Sequence, residues 1–129
     1  MIECARLHLT ALIADAACGP GTATGLPYVS LDLETTGLDP EIDEIIEVAA
    51  IRFDADGVID RYESLVNPGK HQLEYRISLL TGIDAADLER APHFSSIAAE
   101  VEAFIGLDAL IGQNPTFDTA FLARKGVQV

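Results

Sequence analysis

The most informative stretch of the sequence is YVSLDLETTG at residues 28–37, where an apolar run ends in two carboxylates, Asp32 and Glu34. Successive side chains of a strand alternate between two faces, so residues two apart point the same way. Two like charges side by side on one strand face repel each other, and a divalent cation between them turns that repulsion into ligation. The pattern therefore predicts half of a site for a hard cation with oxygen ligands, Mg²⁺ or Mn²⁺.

Downstream of this stretch, the sequence predicts a three-stranded antiparallel meander. The first strand covers residues 28–34, and residues 35–43 form a turn that contains a glycine and a proline. The β-branched, nearly continuous apolar run at residues 45–53 indicates a well-buried second strand. The segment DADG at residues 54–57 ends in Asp-Gly, which is typical of a hairpin turn, so residues 58–66 form the antiparallel third strand.

The hydrophobic period then becomes helical. A short helix over residues 78–81 ends at a glycine, and Asp84 caps a second helix that runs to about Arg90. The next helix, which Gly106 ends, has its apolar residues on one face: Phe94, Ile97, Val101, Phe104 and Ile105. A short buried strand follows at residues 109–112. This order of elements predicts an α/β fold with a mixed sheet.

A second carboxylate signal lies in GQNPTFD, residues 112–118. Asn114 is a favourable N-cap, and Pro115 suits the first position of a helix. Asn114 and Asp118 are four residues apart, so both lie near the N-terminal end of one helix face. A strand followed at once by a capped helix brings such a carboxylate over the edge of the sheet. The core stripe of this helix is Phe117, Phe121 and Leu122.

Composition limits the classes of protein that fit. The chain has 129 residues, 49% of them hydrophobic, and a formal net charge of −13. That length allows one domain with a modest core, and the acidic balance argues against sequence-independent duplex binding through a basic face. No apolar stretch approaches the roughly 18 residues that a membrane span needs, and the N-terminus lacks the basic region of a signal peptide. We therefore expect a cytoplasmic protein with no membrane partner, whose affinity for a long nucleic acid comes from another domain or subunit.

Residues 1–26 are expected to be an appendage to the folded unit. The first part of this segment could form a short helix, and GPGTATG at residues 19–25 is typical of a linker. Cys4 and Cys18 lie here without metal-type spacing and are expected to stay reduced. The folded domain then covers residues 27–129.

Two motifs at this separation resemble those of a known family. DLETTG at residues 32–37 and GQNPTFD at residues 112–118 are similar to the first and second motifs of the DnaQ-like 3′–5′ exonucleases. These enzymes use four acidic residues and a histidine and include the DNA polymerase III epsilon type of proofreading domain. The segments LVNP, LTGI and AP at residues 65–68, 80–83 and 91–92 also look like the family. The resemblance implies a ribonuclease H-like fold and metal-dependent hydrolysis of phosphodiester bonds at the 3′ end of nucleic acid, releasing nucleoside monophosphates.

The resemblance also implies roles for individual residues around two Mg²⁺ or Mn²⁺ ions that hold the scissile phosphate. Asp32 would bridge both ions, Glu34 would bind the ion that holds the attacking water, and Asp118 would support the other ion. The implied substrate-binding set, partly through backbone groups, is Thr35, Thr36, Gly37, Leu38 and Asn114. Asn114 is expected first of all to cap its helix, and Glu47 to be a hydrogen-bonded structural carboxylate.

The third motif of the family, a histidine followed by a final aspartate, has no counterpart before Val129. His71 and His93 both precede the second motif and lack the following aspartate context. We therefore expect an exonuclease domain that is incomplete at its C-terminal end and cleaves far more slowly than a complete relative.

Three alternatives stay open at this stage. The chain could be a non-catalytic metal-binding or interaction module, an exoribonuclease of the same fold, or a fragment that folds poorly alone. The expected substrates are single-stranded or frayed 3′ ends of DNA, with RNA as the alternative. The expected protein partner is a polymerase or a fused helicase domain.

Overall fold

The computed structural model describes residues 25–129 of the chain. The predicted N-terminal helix, Cys4 and Cys18 therefore lie outside the described residues. Within the described part, no helix has the length and apolar composition that crossing a membrane requires.

The described residues form four strands and four helices. In chain order they are β1 (Tyr28–Thr35), β2 (Ile45–Asp54), β3 (Gly57–Leu65), α1 (Tyr75–Thr81), α2 (Ala85–Arg90), α3 (Phe94–Ile105), β4 (Ala109–Ile111) and α4 (Pro115–Arg124).

The four strands form one mixed sheet with the order β3-β2-β1-β4. β1 and β2 pair antiparallel, as do β2 and β3, whereas β4 runs parallel to β1. The parallel pairing is short and extends only from Tyr28 opposite Ala109 to Ser30 opposite Ile111. The predicted α/β class, the antiparallel meander and the mixed sheet are confirmed.

Several element boundaries differ from the predicted ones. α1 begins at Tyr75 instead of residue 78, because the amides of Ile77 and Ser78 already donate to the Glu74 carbonyl. Ile77 also packs against a small buried cluster, which adds a tertiary reason for the extra turn. β3 starts and ends one residue earlier than predicted.

The main hydrophobic core lies on one face of the sheet. Val29, Leu31 and Leu33 alternate along β1 and pack in one cluster with residues of α3 and α4. The helical residues of this cluster are Phe94, Ile97, Val101, Ile105, Phe121 and Leu122. Phe104 is partly buried and packs against the same cluster, so the predicted apolar face of α3 is confirmed.

A β-bulge interrupts the pairing of β1 with β2. Glu34 lies opposite Glu47, but Thr35 lies opposite Ile45, so Ile46 is an extra residue on β2. The bulge rotates consecutive side chains into different surroundings: Ile45 joins the main cluster, and Ile46 packs with Ile83 and Leu88. The bulge lies next to Glu34, the second carboxylate of β1.

The N-cap positions are predicted correctly, but the expected capping hydrogen bonds are absent. Asp84 and Asn114 occupy the N-caps of α2 and α4, and neither side chain makes a capping hydrogen bond. At Asn114 the backbone angles, φ −140° and ψ 73°, differ from the extended geometry of an ordinary N-cap. Pro115 occupies the start of α4 as predicted.

Candidate active site

Asp32 and Glu34 lie on the face of β1 opposite to the core residues of that strand. Both are half-buried, whereas Leu31 and Leu33 between them are buried in the main cluster. Asp32 lies opposite Ala49 on β2, and Glu34 lies opposite Glu47. The predicted shared face of the two carboxylates is therefore a consequence of strand alternation, and it faces away from α3 and α4.

The turn after β1 uses its own threonine hydroxyls. The Thr35 hydroxyl donates to the Gly37 carbonyl at 2.6 Å. The Thr36 hydroxyl donates to the Asp43 carboxylate at 3.1 Å and accepts the Glu44 amide at 3.0 Å. Both hydroxyls therefore make hydrogen bonds inside the turn.

Gly37 is required by a close approach of the Asp43 side chain. A Cβ atom built on Gly37 would lie 2.4–2.5 Å from the Asp43 carboxylate atoms. That carboxylate is fixed by Thr36 and by the amide of Asp39, which donates to it at 3.0 Å. The next residue, Leu38, is 84% exposed, so the turn presents an apolar side chain beyond the end of β1.

Asp118 enters the site where β4 separates from β1. α4 begins four residues after β4 and carries Asp118 in its first turn, with 5% of the residue exposed. The amides of Leu33 and of Asp118 itself hydrogen-bond to its carboxylate. Gly112 permits the two segments to approach, because a Cβ there would lie 3.0 Å from the Leu31 carbonyl oxygen. The structure therefore brings Asp118 to the strand that carries Asp32 and Glu34.

Burial and the neighbouring Asp32 carboxylate raise the pKa of Asp118 from 3.8 to about 6. The two amide hydrogen bonds act in the opposite direction and do not cancel that rise. The raised pKa means that the ionised form of Asp118 is destabilised at this position. A cation beside the carboxylate would stabilise the ionised form.

The far end of α4 is tied to the turn after β1. Lys125 forms an ion pair and hydrogen bond with Glu44, and Arg124 lies 3.4 Å from the Glu41 carboxylate. α4 is therefore attached to the β1 region at both ends, through the Asp118 carboxylate and through Lys125. This arrangement holds the two predicted motif segments in a defined relative position.

Asn114, His71 and His93 lie outside the group of carboxylates formed by Asp32, Glu34 and Asp118. Asn114 is exposed at the start of α4, where no described contact tests its predicted role with substrate. His71 and His93 each line a cleft around residues 67–69, and neither cleft includes Asp32, Glu34 or Asp118.

The donor chemistry of the site fits a divalent cation. Asp32, Glu34 and Asp118 supply only carboxylate oxygens, the ligands that Mg²⁺ and Mn²⁺ prefer. Among residues 25–129, however, no three acidic, histidine or cysteine side chains are already gathered closely enough to hold one ion. The backbone brings Asp32, Glu34 and Asp118 into one region of the sheet. Their side chains would have to adopt other rotamers to bind one ion together.

One acidic residue of this region was not among the predicted site residues. Glu47 is only 5% exposed, and the register places it directly opposite Glu34. The structural hydrogen bond expected for Glu47 stays a prediction. A charged residue inside the apolar run of residues 45–53 is unusual and could have drawn attention to Glu47. That it lies opposite Glu34 depends on the register of β2 against β1.

These raised pKa values predict how stability depends on pH. The pKa of Asp118 is about 6 and that of Glu47 about 7, both raised first by burial. Because the folded chain holds these protons more tightly than the unfolded chain, their stabilising contribution is fully present below about pH 4. It is lost as pH rises from about 4 through the folded-state pKa values of about 6 and 7, and the loss for Asp118 is on the order of 3 kcal/mol. Urea unfolding of the metal-free chain between pH 4 and 8 measures it.

Two substitutions separate this effect from general charge repulsion. Asp118→Asn should flatten the pH dependence between pH 4 and 7, whereas Asp87→Asn, at an exposed position of α2, should leave it unchanged. An identical slope in the Asp118 variant and the wild type would contradict the expectation.

Comparisons with known proteins agree with this geometry. A family model described as Exonuclease matches residues 29–128. The chain is 36% identical over 95 residues to the PolC-type DNA polymerase III of Thermotoga petrophila, covering 74% of this chain and 7% of that protein. Against the PolC-type DNA polymerase III of Bacillus subtilis the identity is 39%, over 74% of this chain and 6% of that protein. The chain thus spans only 6–7% of the length of these curated relatives.

Solved structures of exonuclease I are similar in fold. The product-bound form has a TM-score of 0.67 at 23% identity, covering 77% of this chain and 24% of that chain. The E. coli exonuclease I complex with a dT13 oligonucleotide has a TM-score of 0.66 at 23% identity, covering 75% and 22%. The shared fold is ribonuclease H-like, which confirms the predicted fold.

Proposed function

The chain belongs to the exonuclease family whose model covers residues 29–128, and from this premise we propose that it is a 3′–5′ exonuclease domain acting on DNA. In this proposal, hydrolysis depends on Mg²⁺ or Mn²⁺ and releases nucleoside monophosphates. Residues 27–129 would form the part of this domain that this chain contains.

The observation that carries the proposal is the convergence of two sequence-distant segments on one strand. Asp32 and Glu34 share a face of β1, and Asp118 is hydrogen-bonded to the Leu33 amide between them. Asp32 also contributes to the raised pKa of Asp118, which places the two carboxyl groups within electrostatic reach. Three carboxylates brought to one strand in this way support the proposal of a donor set for divalent ions, because like charges do not stabilise one another.

Each carboxylate has a separate role in the proposed reaction. Asp32 would hold both ions, Glu34 would hold the ion on the side of the attacking water, and Asp118 would support the other ion. The bound ions supply charge neutralisation at the scissile phosphate. The Leu33 amide fixes the orientation of Asp118. His71 and His93 are assigned no proton transfer, because they line clefts elsewhere.

The substrate assignment is supported by the relatives and by the exposed turn. The relatives are DNA polymerases, and an exonuclease I structure contains dT13. On this chain, backbone groups of residues 35–37 and the exposed side chain of Leu38 would hold the terminal nucleotide, with Asn114 at the edge. A formal net charge of −13 does not favour a long nucleic acid. We therefore propose single-stranded or frayed 3′ ends as the substrate, presented by an associated polymerase or a fused domain.

The test is a time course with a single-stranded DNA oligonucleotide labelled at its 5′ end, in Mg²⁺, in Mn²⁺ and in EDTA. A ladder that shortens from the 3′ end, that requires metal and that stops at a 3′-terminal phosphorothioate is the expected result. The same assay with an RNA oligonucleotide of equal sequence distinguishes the exoribonuclease alternative.

Other outcomes would contradict the proposed polarity, the metal dependence or the catalytic activity. Mononucleotide release from the 5′ end, or cleavage that persists in EDTA, would refute the proposed polarity or metal dependence. No cleavage by a cooperatively folded chain that binds Mn²⁺ would favour a non-catalytic metal-binding module.

A further inference from the structure

The segment between β1 and β2, residues 36–44, which we call the β1–β2 turn, is held from inside by the carboxylate of Asp43. One Asp43 oxygen accepts a hydrogen bond from the Thr36 hydroxyl at 3.1 Å, and the other accepts one from the Asp39 amide at 3.0 Å. The Asp43 amide donates in return to the Asp39 carbonyl at 2.8 Å. The Asp43 side chain therefore connects the segment that leaves β1 with the middle of the turn.

Hydrogen bonds account for nearly every backbone amide of the β1–β2 turn. The amides that have a partner inside the turn are those of Thr36, Asp39, Glu41, Ile42, Asp43 and Glu44. Pro40 has no amide hydrogen, so Gly37 and Leu38 are left as the amides without a partner in the described part of the chain. The turn thus presents two adjacent amide donors directly after the strand that carries Asp32 and Glu34.

Asp43 also sets the position of Gly37, the first of these two donors. A Cβ atom built on Gly37 would lie 2.4–2.5 Å from the Asp43 carboxylate atoms, a separation that real Cβ atoms do not show. The turn therefore accepts only glycine here while the carboxylate stays in place. The Thr35 hydroxyl holds the same residue through its carbonyl, at 2.6 Å. The orientation of the two amide donors thus depends on the Asp43 carboxylate.

We propose that Asp43 is a positioning residue for the 3′-terminal nucleotide and fixes the β1–β2 turn so that the amides of Gly37 and Leu38 face that nucleotide. This inference rests on the exonuclease function proposed above and deepens it, because it adds a residue that touches neither the nucleotide nor a metal ion. Donors that are already ordered bind more tightly, since less ordering remains for the binding step. Asp43 acts through its hydrogen bonds and not through its charge.

Asp43→Ala removes both side-chain hydrogen bonds of the turn. Because the binding-competent turn is then populated only in part, we expect the KM for the 5′-labelled single-stranded oligonucleotide to rise about tenfold. The value of kcat should stay within about twofold of the wild type, since binding common to the ground and transition states is lost. Fluorescence anisotropy of the same oligonucleotide, with Ca²⁺ in place of Mg²⁺, gives its dissociation constant independently of turnover. Mn²⁺ affinity, measured by calorimetry, should be unchanged.

Asp54→Ala is the matched control. The Asp54 carboxylate also accepts two hydrogen bonds in a turn, from the amides of Asp56 at 2.8 Å and Gly57 at 3.2 Å, but it lies at the opposite end of β2. This variant should lower the urea midpoint about as much as Asp43→Ala does and leave KM unchanged. An equal rise of KM in both variants would overturn the inference, because a general loss of stability would then explain it.

Two further variants test the inference if Asp43→Ala does not fold. Asp43→Asn can keep both contacts, because its carbonyl oxygen can accept the Asp39 amide and its NH₂ group can donate to the Thr36 hydroxyl. Its KM should therefore be close to that of the wild type. Gly37→Ala drives a Cβ against the Asp43 carboxylate and should raise KM, but should add little in the Asp43→Ala background. Additive effects, or a KM in Asp43→Asn as high as in Asp43→Ala, would overturn the inference.

The remaining outcomes separate this inference from the proposed function. A folded Asp43→Ala chain with the wild-type KM and dissociation constant, while Asp32→Ala still prevents cleavage, would overturn this inference and leave the proposed function intact. If the wild type binds the oligonucleotide without cleaving it, the dissociation constants alone decide the role of Asp43. A wild-type chain that neither binds nor shortens the oligonucleotide would overturn both proposals.

Discussion

Replacing Asp32 with alanine is expected to reduce metal-dependent cleavage by about 10³-fold or more. Asp32 shares a strand face with Glu34 and is the carboxylate that perturbs Asp118, so it belongs to both halves of the donor set. Charge stabilisation by metal ions contributes several kcal/mol to such a transition state, and each 1.36 kcal/mol corresponds to about tenfold in rate. Initial rates on the 5′-labelled oligonucleotide at saturating Mg²⁺ measure the effect.

The Asp32 variant should stay folded, and this separates a lost site from a lost structure. Removing one carboxylate lowers the repulsion on Asp118, so the metal-free melting temperature should be equal to or higher than that of the wild type. Asp56→Ala, in the exposed hairpin turn between β2 and β3, is the matched control and should cleave at the wild-type rate. Undiminished cleavage by a folded Asp32→Ala chain would show that the carboxylates of β1 are not the site.

Replacing Phe121 with alanine is expected to lower the free energy of unfolding by about 3–5 kcal/mol. Phe121 is 1% exposed in the main cluster between α4 and the sheet, and its ring lies 4.9 Å from that of Phe117, centroid to centroid. Deleting the ring removes apolar burial and leaves a cavity, and the helix that carries Asp118 loses part of its packing against the main cluster. Urea denaturation at neutral pH should show a lower midpoint with an unchanged m-value.

Metal binding should partly restore the stability that Phe121→Ala removes. Mn²⁺ binds the folded state, so saturating Mn²⁺ should recover part of the lost melting temperature in Phe121→Ala. Ala123→Ser, at an exposed position of α4, should leave the unfolding midpoint within experimental error of the wild type. A Phe121→Ala chain with the wild-type midpoint would mean that α4 does not depend on this cluster.

Local sequence signals were sufficient for much of the fold. The apolar run at residues 45–53, the Asp-Gly hairpin and the one-sided helix Phe94–Ile105 were all predicted and are confirmed. The N-cap positions of Asp84 and Asn114 were also correct, although their side chains make no capping hydrogen bonds. These features follow from the periods of strand and helix and from backbone preferences, which act within a few residues.

The functional roles of Asp32, Glu34, Asp118 and the substrate-binding turn remain predictions. The structure places Asp118 against the Leu33 amide and buries Glu47 opposite Glu34. The sequence indicated that Asp118 lies over the edge of the sheet, but neither its contact with Leu33 nor the position of Glu47 opposite Glu34. The extra residue Ile46 sets the local register of β2, and a bulge of this kind has no distinct local signature.

By itself, the sequence determined that Asp32 and Glu34 share one face of a strand and that Asp118 lies in the first turn of a helix. Alternation along one strand and position along one helix are properties of contiguous residues, so no distant contact is needed to infer them. Only the tertiary structure decided that Asp118 is buried beside Asp32, that Lys125 pairs with Glu44, and that Glu47 faces Glu34. Those facts depend on strand register and helix packing between segments far apart in the chain, where burial and desolvation set the charge of each carboxyl group.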